Sequence, residues 1–224
     1  MIPFQGETIL TVNEIFYSIQ GESSYAGYPC VFIRLTGCNL RCSWCDTRYA
    51  YYEGEELSVQ DIIQQVLGYK SFLAEITGGE PLVQKETPEL TKSLIDQGLT
   101  VLVETNGSLD ISLLPSACHR IIDLKTPSSN ESDKNNLSNL KKIEKNDEIK
   151  FVICSLEDYD WAKKIISEYN LSHRCPVLLS PAYGYVECKQ LAQWMLEDNL
   201  QARLQPQLHK ILWPHDFKES DANE

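Results

Sequence analysis

Val31-Phe32-Ile33-Arg34-Leu35-Thr36-Gly37-Cys38-Asn39-Leu40-Arg41-Cys42-Ser43-Trp44-Cys45-Asp46-Thr47 reads as a short apolar strand that passes through a glycine turn into a loop carrying three cysteines. The spacing Cys-x3-Cys-x2-Cys lets one loop wrap Cys38, Cys42 and Cys45 around a compact metal centre. The number of ligands decides what kind of centre it is. A structural zinc site closes with four protein ligands, and a structural four-iron cluster with four cysteines. Three thiolates leave one iron open to a bound molecule, which points to chemistry rather than scaffolding. The zinc reading requires a fourth bond from Cys30, His119, His173, His209 or His215.

Downstream, the strand pattern recurs. Apolar runs bounded by turn residues fall at 74–77, 100–104, 120–124, 149–153 and 177–179, with 202–204 as a seventh strand. Helical patterns occupy 59–67, 88–97, 159–169 and 189–197, with Ser58 and Thr87 as N-caps of the first two. This alternation predicts an α/β domain with right-handed crossovers and a curved parallel sheet covered on both faces. Residues 127–139, rich in Ser, Asn and Asp, read as a long mobile loop, and 215–224 as a frayed polar tail. In such folds the loops at the carboxyl ends of the strands build the site. Here they carry Gly78-Gly79-Glu80-Pro81, Glu104-Thr105-Asn106-Gly107, Asp123-Leu124-Lys125 and Ser180-Pro181, all on the rim of the cysteine loop. Gly78 and Gly79 allow backbone to approach a ligand closely, and Glu80 can accept from an ammonium group.

Upstream, Ser18-Ile19-Gln20-Gly21-Glu22-Ser23 offers an amide, a carboxylate and a glycine suited to a polar heterocycle. Arg34 interrupts an apolar run and needs a partner, either a substrate carboxylate or a structural ion pair. Asp46-Thr47 supplies hard oxygen ligands suited to magnesium, and Gln205 to Lys210 bring polar groups and His209 near the carboxyl terminus.

The 224 residues, 42% hydrophobic and 23% charged, suffice for one core. No apolar run approaches the roughly 20 residues of a membrane span, and the first residues lack a basic region followed by an apolar stretch, so a soluble cytosolic protein is expected. A formal net charge of -12 opposes phosphate backbones and disfavours direct nucleic-acid binding. The lysine-rich stretch 134–150, interrupted by Glu144, Asp147 and Glu148, reads as a solvated helix face. Of eight cysteines, Cys30, Cys118, Cys154, Cys175 and Cys188 read as small buried hydrophobes rather than disulfide partners.

The cysteine spacing after an early strand resembles the signature of the radical S-adenosylmethionine superfamily. Ile-Gln-Gly-Glu at 19–22, Phe-Ile-Arg-Leu at 32–35, Gly-Cys-Asn-Leu-Arg-Cys at 37–42, Trp-Cys-Asp-Thr at 44–47, Ile-Thr-Gly-Gly-Glu-Pro at 76–81, Glu-Thr-Asn-Gly at 104–107 and Gln-Leu-His-Lys at 207–210 together resemble the 7-carboxy-7-deazaguanine synthases, across about residues 13–212. The resemblance implies an open, abridged, TIM-like partial barrel of about six parallel strands. It implies one domain over 1–224, with 1–30 a substrate-binding extension, 31–212 the core and 213–224 a flexible tail. It implies a [4Fe-4S] cluster on Cys38, Cys42 and Cys45, and magnesium at Thr47. S-adenosylmethionine would face Trp44, Cys45, Asp46, Gly78, Gly79, Glu80, Glu104, Asn106, Lys125 and Ser180; Trp44 is read equally well as ordinary core. The substrate, 6-carboxy-5,6,7,8-tetrahydropterin, would face Ile19, Gln20, Gly21, Glu22, Arg34, Thr77 and His209. A radical ring contraction with loss of ammonia would yield 7-carboxy-7-deazaguanine for queuosine and other 7-deazapurines, so the link to tRNA is metabolic. A homodimer and a reductant such as flavodoxin or ferredoxin complete the picture. Ser23 stands where many relatives have glycine.

Two other readings use the same residues. An activating enzyme that installs a glycyl radical on a partner protein shares the cysteine spacing, although 46–117 holds no cysteine for an auxiliary cluster. A non-enzymatic, zinc-stabilised binding module is opposed by the acidic charge and the missing fourth ligand.

Overall fold

The computed structural model describes residues 7–213, in a nine-stranded sheet. Strand β1 (Ile9–Ile19) pairs antiparallel with β2 (Pro29–Leu35) on one side and with β3 (Glu55–Ser58) on the other. From β2 onward, β4 (Leu73–Gly78), β5 (Thr100–Thr105), β6 (His119–Leu124), β7 (Glu148–Ile153), β8 (Val177–Pro181) and β9 (Arg203–Leu204) add in parallel, each beside its predecessor. These parallel strands contain the apolar runs read from the sequence. Strand β1 was not foreseen, because a register shift between Val12 and Glu14 breaks its alternation.

Helices α1 (Val59–Gly68), α2 (Thr87–Asp96), α3 (Leu156–Glu168) and α4 (Cys188–Glu197) match the expected patterns, and a fifth, α5 (Leu208–Leu212), was not foreseen. Ser58 caps α1 by accepting from Asp61 N at 3.1 Å. Thr87 does not cap α2: it is the first helical residue, wholly buried, and its hydroxyl donates to Pro81 O at 2.6 Å.

The period of two sorts each strand onto two faces. The helix-covered face is apolar, with Val31, Ile33, Leu35, Ile76 and Val103 in one cluster and Ile122, Ile149, Phe151, Val177 and Leu179 in another. The opposite face departs from the expectation of strands apolar on both sides. Cys30, Leu73, Leu102 and Ile121 make a thin apolar layer with Tyr25 and Phe32 at the amino ends of the strands. Two residues further on, Glu75, Glu104 and Asp123 share that face with Lys150 and Ser180.

Lys150 corrects the reading of 134–150 as a solvated helix face. It lies in β7 and is 6% exposed, and the residues before it form short 3-10 turns. The loop at 127–139 is pinned rather than free, since buried Asn139 donates to Gly107 O at 3.0 Å and to Leu109 O at 2.7 Å. Cys30, Cys118, Cys154 and Cys175 are buried thiols as expected, whereas Cys188 is exposed.

Contacts from the loop after β1 show that the sheet curls around its polar face. Ser24 N donates to Glu148 Oε1 at 3.0 Å, Tyr25 Oη meets His119 Nε2 at 2.8 Å, and Arg203 Nη1 donates to Ser24 Oγ at 2.9 Å. Among the described residues β3 and β9 are the edges of the sheet and do not pair with each other, so the barrel is partial. Among the described residues no helix is long and apolar enough to cross a membrane. The expected tail at 215–224 lies outside the described residues.

Candidate active site

Strand β2 delivers the cysteine loop through Gly37, whose φ of +98° lies in the left-handed region. Cys42 is buried, and Cys38 and Cys45 are half-buried. Burial pushes the Cys42 thiol up to about 11 and raises Cys38 too, so both hold their protons until a metal displaces them. The three sulfurs are close enough to feel one another's charge, and none forms a disulfide. Among the described residues no three Cys, His, Asp or Glu side chains converge as a single ion would require. Cys30 and His119, proposed as a fourth zinc ligand, sit at the amino ends of β2 and β6, away from the loop. Three thiols on one short loop, with a coordination position left for a bound molecule, suit a sulfur-bridged iron cluster. Trp44 Nε1 and Asp123 Oδ1, on the same rim, are buried without a hydrogen-bond partner.

The glycine pair packs on this loop. A Cβ at Gly78 would lie 2.2 Å from Leu35 O, and one at Gly79 would lie 2.3 Å from Gly37 O and 2.7 Å from Cys38 Cβ. Approach to protein backbone alone thus requires glycine at both positions. Glu80, wholly buried, accepts from Leu82 N at 2.9 Å, Thr105 Oγ1 at 2.8 Å and Asn106 N at 2.6 Å. Its carboxylate clamps the loop after β4 to the loop after β5. Asn106 Nδ2 donates to Asn39 Oδ1 at 3.1 Å and lies 4.0 Å from Cys38 Sγ.

Below the rim the interior is charged. Lys150 Nζ pairs with Glu22, with Glu104 at 2.8 Å and with Asp123 at 4.0 Å. Burial opposes the charge on Lys150, but these carboxylates outweigh it and hold its pKa well above the ordinary lysine range. Burial likewise works against ionised Glu22, yet Lys150 prevails and draws that carboxyl down to about 2. Glu75 is raised well above the usual carboxylate range, by burial first and then by Glu104 and Glu22, and it accepts from Gln20 Nε2. Lys125 pairs with Asp123 at 3.0 Å and lies 5.0 Å over the Trp44 ring. Ser180 Oγ donates to Gln205 O at 2.9 Å.

The carboxyl-terminal segment closes against the loop after β1. Leu208 N donates to Gly21 O at 3.0 Å and Gln207 Nε2 to Glu22 Oε1 at 2.8 Å, while a Cβ at Gly21 would lie 2.2 Å from His209 Nδ1. Lys210 reaches Asp46 at 3.5 Å, and Thr47 Oγ1 donates to Asp46 Oδ1 at 3.1 Å. Ile19 ends β1 beside Pro29. Arg34 pairs with Glu14 at 2.7 Å, its Cζ is 5.7 Å from the Phe16 ring and 5.6 Å from that of Tyr49, and its register partner is Thr77. Ser23 has a φ of +62°, which explains why glycine suits that position.

The structure thus gathers Cys38, Gly79, Glu80 and Asn106 about one turn, Trp44 with Lys125, and Gln20, Gly21, Glu22 and His209 about another. Arg34 and Thr77 sit to one side, engaged with β1 and β2. Sequence reasoning missed Lys150, Glu75 and Glu14; the signal available was a charged residue inside a strand otherwise apolar, as in Leu73–Gly78 and Glu148–Ile153.

Comparison with known proteins agrees with this geometry. The chain matches the family model of the Radical SAM superfamily over residues 32–130. It is 42% identical to the 7-carboxy-7-deazaguanine synthase of Chlorobaculum tepidum, over 95% of this chain and 98% of that one. It is 38% identical to the enzyme of that name from Koribacter versatilis, over 93% and 99%. Among solved structures, QueE from Escherichia coli superposes with a TM-score of 0.77 at 24% identity, covering 92% of this chain and 97% of that one, which shows a common fold.

Proposed function

The chain belongs to the 7-carboxy-7-deazaguanine synthase family of radical S-adenosylmethionine enzymes, and from that premise we propose that it converts 6-carboxy-5,6,7,8-tetrahydropterin to 7-carboxy-7-deazaguanine with loss of ammonia. The observation that carries this reading is a three-cysteine loop opening onto a charged interior that the chain's own carboxyl-terminal segment covers. A [4Fe-4S] cluster and S-adenosylmethionine, when bound, supply the one-electron chemistry that abstracts and returns a substrate hydrogen.

The protein's residues do the holding and excluding. Cys38, Cys42 and Cys45 hold the cluster. Trp44, Asp46, Gly79, Lys125 and the Ser180 region face S-adenosylmethionine, and the unpartnered Asp123 Oδ1 offers a further acceptor there. Gly78, Glu80, Glu104 and Asn106 support this wall, through the glycine packing, the Glu80 clamp and the pairing of Glu104 with Lys150. Ile19, Gln20, Gly21, Glu22, Thr77 and His209 face the pterin, and Arg34, whose Nε holds Glu14, offers its guanidinium to the substrate carboxylate. Thr47 and neighbouring Asp46 would supply oxygens for magnesium, which would contribute charge stabilisation when bound. The enzyme works in the cytoplasm as a homodimer, reduced by a flavodoxin or ferredoxin.

The test is to give the anaerobically reconstituted, reduced protein S-adenosylmethionine, magnesium and 6-carboxytetrahydropterin. The deazaguanine is expected by mass spectrometry, and cleavage of S-adenosylmethionine without it would point to another substrate.

A further inference from the structure

Arg41 lies between the first two cysteines, and the loop is folded around it. Its Nη1 donates to Cys38 O at 2.9 Å and to Leu40 O at 2.7 Å, and its Nη2 donates to Tyr52 Oη at 3.2 Å. The guanidinium lies 4.3 Å over the Tyr51 ring. Its backbone is tied as well, Arg41 N donating to Glu131 Oε1 at 2.6 Å. With the Cys38 and Leu40 carbonyls drawn outward to this cation, the amide on the inner side, Leu40 N, points at Cys38 Sγ from 3.4 Å. Tyr51, clamped under the guanidinium, has its phenol beside the Cys45 sulfur.

We propose that Arg41 and Tyr51 form a positioning pair that sets how readily the cluster accepts an electron. The inference rests on the reading that Cys38, Cys42 and Cys45 carry a [4Fe-4S] cluster. Reduction adds one negative charge. N–H and O–H dipoles aimed at ligand sulfurs stabilise that charge, as does a nearby cation, whereas carbonyl oxygens turned inward would oppose it. Arg41 contributes in three ways: its charge, its hold on two carbonyls, and its hold on Tyr51. Lysine keeps the first of these and loses the planar fork that provides the others.

The experiment is a potentiometric titration of the anaerobically reconstituted, full-length protein, following the electron paramagnetic resonance signal of the reduced cluster. Wild type is compared with Arg41→Gln, Arg41→Lys and Tyr51→Phe, with iron measured in each. All should hold about four irons per chain. At a fixed potential, Arg41→Gln should lower the reduced-to-oxidised ratio about tenfold, equivalent to ~59 mV for a one-electron couple. Arg41→Lys and Tyr51→Phe should each give a smaller fall. Ratios within about twofold of wild type in both Arg41→Gln and Tyr51→Phe would overturn the proposal while leaving the family reading intact. Should Arg41→Gln fail to retain iron, Tyr51→Phe decides alone, since Tyr51 is not a ligand. A wild-type protein that takes up no iron would overturn the reading on which the inference rests.

Discussion

Glu80 accepts three hydrogen bonds while wholly buried, two of them from backbone amides on different loops. A glutamine there keeps the shape but replaces one acceptor oxygen with an NH2 group, which then faces a donor it cannot satisfy. Leaving a buried donor without its charged acceptor costs about 2–3 kcal/mol. Glu80→Gln should therefore lower stability by that amount in urea denaturation, and Asn106 should separate from Asn39, visible as faster amide exchange at 106–108. An unchanged midpoint would mean that the clamp carries no net stability.

Helix α5 has only five residues, too few to be stable alone, so its docking on Gly21 and Glu22 holds it. His209 faces Glu22 and Asp46, which favour its protonation, and Lys210 and Lys150, which oppose it; burial is the largest influence and lowers its pKa. A folded-state pKa below the unfolded one gives a contribution that is full above the unfolded pKa, about 6.5, and is lost as pH falls through the folded value. The protection factor of the Leu208 amide should accordingly fall as pH drops below about 6.5, before those of the sheet amides do, and His209→Gln should flatten that dependence. The same element shows what the sequence could not reveal. Five residues span less than two turns of periodicity, and the partners Gly21 and Leu208 are remote in the chain. The parallel strands were legible because continuous apolar runs are local signals, and so was the cysteine loop. Glu75 and Lys150 were not, because an expectation of apolar strands on both faces left no place for a charged interior, whose logic lies in what it encloses. Glu80 was legible as a motif residue, but its clamp depends on Thr105 and Asn106, which only folding brings near.

For the molecule as a whole, both large apolar clusters lie on the helix-covered face, whereas the cysteine loop leaves the carboxyl end of β2. The fold therefore does not depend on the metal centre, unlike a zinc finger, whose apo form is unfolded. Anaerobic chelation of iron should leave the far-ultraviolet circular dichroism unchanged and the urea transition cooperative, while exchange accelerates across 38–52. Collapse of the transition would show instead that the cluster is structural. The bond from Leu208 N to Gly21 O joins points near opposite ends of the described chain, while the parallel strands lie side by side in the order in which they are made. Domains begin to fold as they leave the ribosome, amino-terminal parts first. The sheet can thus assemble strand by strand during translation while its charged hollow is still hydrated, and Lys150 can find its carboxylates before water is excluded. The seal follows every strand of the sheet in order of synthesis, which leaves the nascent protein an interval in which iron and sulfide can reach the three thiols before the chamber shuts.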